Sequence, residues 1–271
     1  MMFMYSEAPF LDIRYRTQIH YGAEINTPGN IGRLAEQAAG GRSYHLEPYG
    51  NDGDVIFQLE RSKRTPETRK VLFTGTGRCG TQYISNLFTA NGIDIGHELV
   101  GVDGVASHFF AYDADWHWFA MGQPVGYIHL GEHRSDYTFE NIIHVVREPL
   151  ACIASIKDFF HDCDWVWFEA QGAPSWVKPH SLLSAMYAYV AMNEKAETQA
   201  TLTIRIEDID IEFPSLAEGL FNIKPNTLRV PRANQSPTRP QQLTWEDLEQ
   251  TSKNLTFQIR ELSRRYGYGE K

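Results

Sequence analysis

Cysteine is scarce in this chain: Cys79, Cys152 and Cys163 are the only three in 271 residues, and no Cys-x-x-Cys occurs. A sparse, odd count excludes a disulfide framework and a cysteine-type zinc site, and a reducing compartment becomes the default. No apolar run is long enough to span a bilayer. Residues 1–9 carry neither the basic stretch nor the apolar core of a signal peptide. These absences predict a cytoplasmic protein. Basic residues are not in excess either: 25 Lys and Arg stand against 34 Asp and Glu, for a formal net charge of −9. Neither nucleic acid nor an anionic membrane is an expected partner for such a surface. An anionic ligand must then be held by local donors against the overall field. Internal repeats and low-complexity tracts are also missing.

What is present is an alternation of short apolar runs with helical patterns. Val71, Leu72 and Phe73 form one run, and residues 125–130, 141–146 and 202–206 form others. Helical spacing follows in Ile84, Leu87 and Phe88, in Ile153, Ile156 and Phe159, and over residues 182–196. Pro149 suits a first helical turn. Thr244 is placed to cap a last helix, with Leu248, Leu255, Ile259 and Leu262 along one face. Strands alternating with helices predict a three-layer αβα fold with a mostly parallel central sheet, in one domain over residues 1–271. Such sheets bind ligands at the carboxyl ends of their strands. Residues 1–69 form an N-terminal extension. Within it, residues 43–50 and 53–60 flank Asn51 and Asp52, and Val55, Phe57 and Leu59 alternate, which predicts a β-hairpin.

The most informative stretch is residues 70–98. The run Val71–Phe73 leads into Thr74-Gly75-Thr76-Gly77-Arg78-Cys79-Gly80-Thr81, and a helix follows. In a strand–loop–helix unit the loop N–H groups and the helix N-terminus converge on a point that favours an anion. Arg78 adds a permanent cation with donors suited to phosphate oxygens. Gly75-x-Gly77-x-x-Gly80 also matches a dinucleotide fingerprint, with Asp94 or Glu98 as ribose acid. Gly75-x4-Gly80 matches half of a Walker A loop. The other half fails, because Thr81 stands where Lys belongs and Gln82 where a Mg²⁺-binding Ser or Thr belongs. A second cation, Arg147, ends the 141–146 run. Ser155 follows eight residues later, about two helical turns on, so the two can grip one phosphate.

Together, Arg78-Cys79-Gly80-Thr81 after a strand and Arg147 with Ser155 resemble the PAPS-dependent sulfotransferases, over roughly residues 70–270. Ile204-Arg205-Ile206-Glu207-Asp208 and the closing Arg265-Tyr266-Gly267-Tyr268 resemble bacterial members loosely. Arg78 stands where cytosolic aryl and steroid enzymes carry Lys, which brings the loop nearer to carbohydrate and tyrosyl-protein sulfotransferases. The resemblance implies a P-loop nucleotide-hydrolase-like fold and a metal-free transfer of a sulfuryl group from PAPS to an acceptor hydroxyl. It implies that Gly77, Arg78, Cys79, Gly80, Thr81 and Gln82 line the 5′-phosphosulfate. Arg147 and Ser155 take the 3′-phosphate, and Asn234, Ser236 and Arg239 lie in a cofactor-covering segment.

Catalysis then needs charge neutralisation on the leaving oxygen, by Arg78 and the loop N–H groups, and a base for the acceptor proton. Glu98 is the first choice of base. His97 is adjacent but should point to the opposite side if the strand continues. His108, His129 and His144 are lesser candidates. Aromatic loops around Trp116, Trp118, Trp165, Trp167 and Trp176 suit a sugar, a phenol or an oligomer surface, so the acceptor, small molecule or glycan, and a homodimer stay open. The alternatives are an NAD(P)-binding Rossmann oxidoreductase and a non-catalytic nucleotide-binding module.

Overall fold

The computed structural model describes residues 10–15, 44–49, 54–60, 65–108, 137–160, 173–178, 180–231 and 242–269. The chain divides into two compact units: residues 1–67 with 113–137, and residues 68–112 with 138–271. In the first unit, β1 (Phe10–Tyr15), β2 (Tyr44–Tyr49) and β3 (Asp54–Glu60) form a three-stranded sheet in the order β1-β3-β2. Both pairings are antiparallel, with Phe10 opposite Glu60 and Tyr44 opposite Leu59. β2 and β3 are the arms that flank Asn51 and Asp52. β1 had no signal in the sequence. The expected strand at 125–130, His129, four of the loop tryptophans (Trp116, Trp118, Trp165 and Trp167) and Asn234, Ser236 and Arg239 lie outside the described residues.

The second unit is a three-layer αβα fold around five strands. These are β4 (Glu67–Gly75), β5 (Ile95–His97), β6 (Gly104–Ala106), β7 (Tyr137–Val146) and β8 (Leu202–Arg205), in the order β5-β6-β4-β7-β8. β6 runs parallel to both β4 and β5, and β8 parallel to β7. Between β4 and β7, Thr68 Oγ1 lies 3.1 Å from Thr138 Oγ1 and Lys70 Nζ donates to Glu140 Oε2 at 2.6 Å. Both pairs are 70 residues apart, and a constant offset is a parallel register.

Period-two alternation assigns the two faces. Val71, Phe73, Ile143, Val145 and Ile204 share one core cluster. It is filled by Ile84, Leu87 and Phe88 from α1 (Thr81–Thr89) and by Phe213 and Ala217 from α4 (Ile209–Phe221). The opposite layer holds α2 (Pro149–Phe159), α3 (Leu182–Glu197), α5 (Trp245–Thr251) and α6 (Lys253–Arg265). On that side Thr76 donates to Met192 Sδ, and His144 meets Asn193 and the Tyr266 ring.

Three differences from the sequence reading have local causes. The expected strand at 202–206 stops at Arg205, and residues 206–208 form a short 3₁₀ turn into α4. α4 itself carries Pro214, which breaks the helical pattern and removes one ladder bond. Burial of Phe213 and Ala217 holds the helix regardless. The single last helix is two. Thr244 forms a capping box with Asp247 and starts α5, and Ser252 then starts α6 by accepting from Leu255 N.

His144 is fully buried on β7, with Nε2 3.0 Å from Asn193 Oδ1 and Nδ1 without a partner. Burial pushes its pKa below the ordinary value, against the Asn193 bond and the nearby Glu197 charge. The folded state therefore binds the proton less readily than the unfolded chain does. Stability is fully present above the unfolded value, about pH 6.5, and falls as the pH drops from there towards the folded value. Thermal melts between pH 7.5 and 5 are expected to show this loss. His144→Gln, which keeps an amide donor for Asn193, should flatten it. His97 titrates in the same direction, so the difference between the two proteins carries the effect. Identical slopes would count against it.

Candidate functional site

The order of the five strands decides where a ligand can sit. Numbered within this sheet, it is 2-3-1-4-5. The first strand, β4, has the third on one side and the fourth, β7, on the other. The chain therefore changes side between β4 and β7, and the crevice outside their carboxyl ends is the topological switch point. The two cation-bearing segments sit there. The order also differs from the 3-2-1-4-5 of dinucleotide-binding sheets.

After β4 the backbone turns through residues 76–80. Cys79 N donates to Thr76 O at 3.2 Å, closing the turn. Arg78 takes a left-handed conformation at φ 70°, and Gly80 starts α1 at φ 109°. An L side chain at Gly80 would be strained and would run into Ile206. The α1 N-terminus has no side-chain cap and no acid in its first turn. The α2 N-terminus is the opposite case. Glu148 accepts from Leu150 N at 3.2 Å and from Ala151 N at 2.7 Å, so that helix end is already filled by a carboxylate. Of these two helices, α1 is the one that keeps its positive end available to an anion.

Arg78, Arg147 and Ser155 come together. Arg147 Nη1 donates to Arg78 O at 2.9 Å, and Arg78 Nε donates to Ser155 Oγ at 3.1 Å. Ser155 thus bonds the other arginine from the one eight residues before it. Among the described residues Arg147 has no carboxylate partner. A cavity of about 780 Å³ opens beside it at the ends of β7 and β8, walled by Arg205, Glu207, Trp245 and Tyr268. The acids and the second cation of that wall are internally satisfied. Glu207 accepts from Glu148 N and from Tyr268 Oη, while Arg205 is tied to Asp208 and to Gly267 O.

Two residues of the loop turn elsewhere. The Cys79 thiol is buried in the core, where burial pushes its pKa far up, and its N–H is used by Thr76. Gln82 Nε2 reaches along α1 to Asn86 Oδ1 at 3.0 Å. Thr81 Oγ1 stays at the loop and lies 3.2 Å from His97 Nε2.

Glu98 leaves the strand in a left-handed conformation, φ 55°. Strand alternation therefore ends before it, and His97 and Glu98 face the same place instead of opposite sides. His97 Nε2 is 3.7 Å from Glu98 Oε1. The Glu98 carboxylate also accepts from Ser107 Oγ and lies 3.0 Å from His108 Nδ1. Burial alone would raise its pKa. The charges and hydrogen bonds of His108, His97 and Ser107 outweigh that and hold it below the usual carboxylate value. Glu98 is thus ionised at neutral pH and can only accept, so His108 Nδ1 is the donor. In the neutral ring the basic nitrogen is then Nε2. The carbon beside it, Cδ2, lies 3.4 Å from where a Gly77 Cβ would stand, so this ring edge faces the glycine loop. Burial also lowers the His97 pKa, and that ring is neutral at pH 7.

Both residues offered as a ribose acid are engaged: Glu98 as above, and Asp94, whose Oδ2 accepts from Val102 N at 2.8 Å. Among the described residues, no group of three or more His, Cys, Asp or Glu is arranged to hold a metal, and no helix is long and apolar enough to cross a membrane. No protein-family model matches the chain, nor does any curated protein or solved structure.

Proposed function

We propose that this protein is a sulfotransferase, moving a sulfuryl group from PAPS to an acceptor hydroxyl. The observation that supports this most is the meeting of Arg78, Arg147 and Ser155 at the switch point, beside an uncapped helix N-terminus. Two arginines there suit a ligand carrying phosphates at two positions, and the adjoining cavity lies in the size range of nucleotide-like ligands. The loop has neither the Walker Lys nor a Mg²⁺-binding hydroxyl at its usual place. The charge of the leaving group would therefore fall to Arg78 and the loop N–H groups.

In this reading the acceptor oxygen attacks sulfur in line. The bond from sulfur to the phosphate bridge oxygen breaks, and adenosine 3′,5′-bisphosphate departs with the bonding pair. The acceptor proton goes to His108 Nε2. Glu98 does not take it directly. Its carboxylate holds Nδ1–H, fixes the tautomer and stabilises the imidazolium that forms, as a carboxylate does in other His-based sites. Ser107 fixes Glu98 in turn.

Adenosine 3′,5′-bisphosphate at ~100 times its Kd should stabilise the fold by about 2.7 kcal/mol, a rise of roughly 5–10 °C in melting temperature. NADH should produce none. A shift with NADH and none with the bisphosphate would hand the site to the dinucleotide reading. His108→Ala should retain the bisphosphate shift and lose sulfuryl transfer by roughly 10²-fold or more. Glu98→Gln should act in the same direction. Full turnover in His108→Ala would remove that residue from the proton path.

A further inference from the structure

A second cavity of about 520 Å³ lies on the outer layer between α3 and α6. Its floor is aromatic. Trp176 is 40% exposed, and its ring meets the Tyr187 ring edge-on, with centroids 5.4 Å apart. Around this pair stand Glu194 from α3 and Asn254 and Gln258 from α6. Tyr187 and Glu194 are seven residues apart on α3, and Asn254 and Gln258 four apart on α6, so each pair shares one helix face. Among the described residues, no Lys or Arg lines the groove.

We infer that this groove binds a neutral or amine-bearing sugar unit of a glycan. A pyranose ring offers a face of C–H groups and a rim of hydroxyls. The Trp176 face suits the first through apolar and C–H···π contact. The two carboxamides, each both donor and acceptor, and the Glu194 carboxylate suit the second. An anionic sugar is disfavoured, because among the described residues Glu194 is the charged group of the wall and the whole chain carries −9. A folded partner or a docked helix is disfavoured by size. The cavity lies within the small-ligand range, and protein interfaces require far larger surfaces. The assignment stands on this groove alone and does not rest on the sulfuryl-transfer reading.

Saturation-transfer NMR on the full chain, with cellobiose and lactose as probes, tests it. Both should show transfer to ring protons, with a Kd on the order of 1 mM, as for one shallow subsite. Trp176→Ala should weaken binding about tenfold or more and leave the bisphosphate-induced melting shift as it is in wild type. Gln258→Ala should weaken it less and serves where the Trp variant folds poorly. Absence of transfer to both sugars would overturn the inference, and so would transfer undiminished in both variants. Binding of p-nitrophenol in place of the sugars, lost in Trp176→Ala, would also overturn it in favour of an aromatic-ligand site. Loss of the bisphosphate shift in wild type would count against the nucleotide reading only.

Discussion

Arg78→Gly is expected to keep the fold and lose sulfuryl transfer by a factor on the order of 10²–10³. The residue sits at φ 70° in the turn after β4. For a non-glycine residue that conformation costs roughly 1–2 kcal/mol, and glycine adopts it freely. Against this gain stand the lost Arg78 Nε bond to Ser155 Oγ, worth ~1 kcal/mol, and the greater freedom of glycine in the unfolded chain. These terms nearly cancel, so the melting temperature should stay within roughly 4 °C of wild type. The Arg78 carbonyl, which Arg147 Nη1 holds, is retained in the variant. The substitution thus separates the left-handed backbone at this position from the guanidinium that it carries. Arg78→Lys should recover part of the rate through charge alone, without the planar fork. Transfer within a few-fold of wild type in Arg78→Gly would remove the loop cation from the chemistry. A large drop in melting temperature would make Arg78 a structural residue.

The layered α/β architecture, the strand–glycine loop–helix unit at residues 71–89 and the place of Arg147 at a strand end could be read from sequence because each rests on a local pattern, whereas Ser155 bonds Arg78 and not Arg147. Apolar runs of strand length, glycines before a helix and a Pro at a first turn are all short-range signals. Glu98 and His108 were singled out separately, but their contact with each other and with Ser107 was not readable, and β6 shows why. Gly104–Ala106 is too short to give an apolar run, yet it enters the sheet between β5 and β4. That insertion brings the segment after β6 under the end of β5: Glu98 N donates to Ala106 O, and Ser107 N donates to Phe73 O. Only then do Ser107 and His108 meet the Glu98 carboxylate. The left-handed turn at Glu98 is equally silent in sequence, since nothing marks a Glu for positive φ. Loss of strand alternation at that one residue put His97 beside Glu98 and not behind it. Cys79 misled for a different reason. A residue inside a binding loop looks like a lining residue, whereas in a tight turn alternate side chains must face the core.

Gly75→Ala should be the most damaging single-methyl change in the loop strand. The position ends β4, which neighbours β7 in the sheet, and it leads directly into the glycine loop. A Cβ there would stand 2.1 Å from Val145 O and 3.1 Å from Cys79 Sγ. The first contact is with backbone inside a buried strand, and Val145 is itself fully buried. No rotamer change can relieve it, so β4 and β7 must part or shift register. Overpacking of this kind costs about 3 kcal/mol or more, a fall of roughly 6–12 °C in melting temperature for a unit of this size. The same displacement would carry Arg78 away from Arg147, because the two are joined through the Arg78 carbonyl. Residual folded Gly75→Ala should therefore show a smaller bisphosphate-induced shift than wild type at equal ligand concentration. Gly92→Ala is the matched control. Its φ of 77° also strains an L side chain, but its Cβ would meet no atom within 4 Å. It should cost about 1–2 kcal/mol from strain and leave the bisphosphate shift unchanged. Equal melting temperatures for the two variants would mean that the close approach of β4 to β7 does not hold the loop in place.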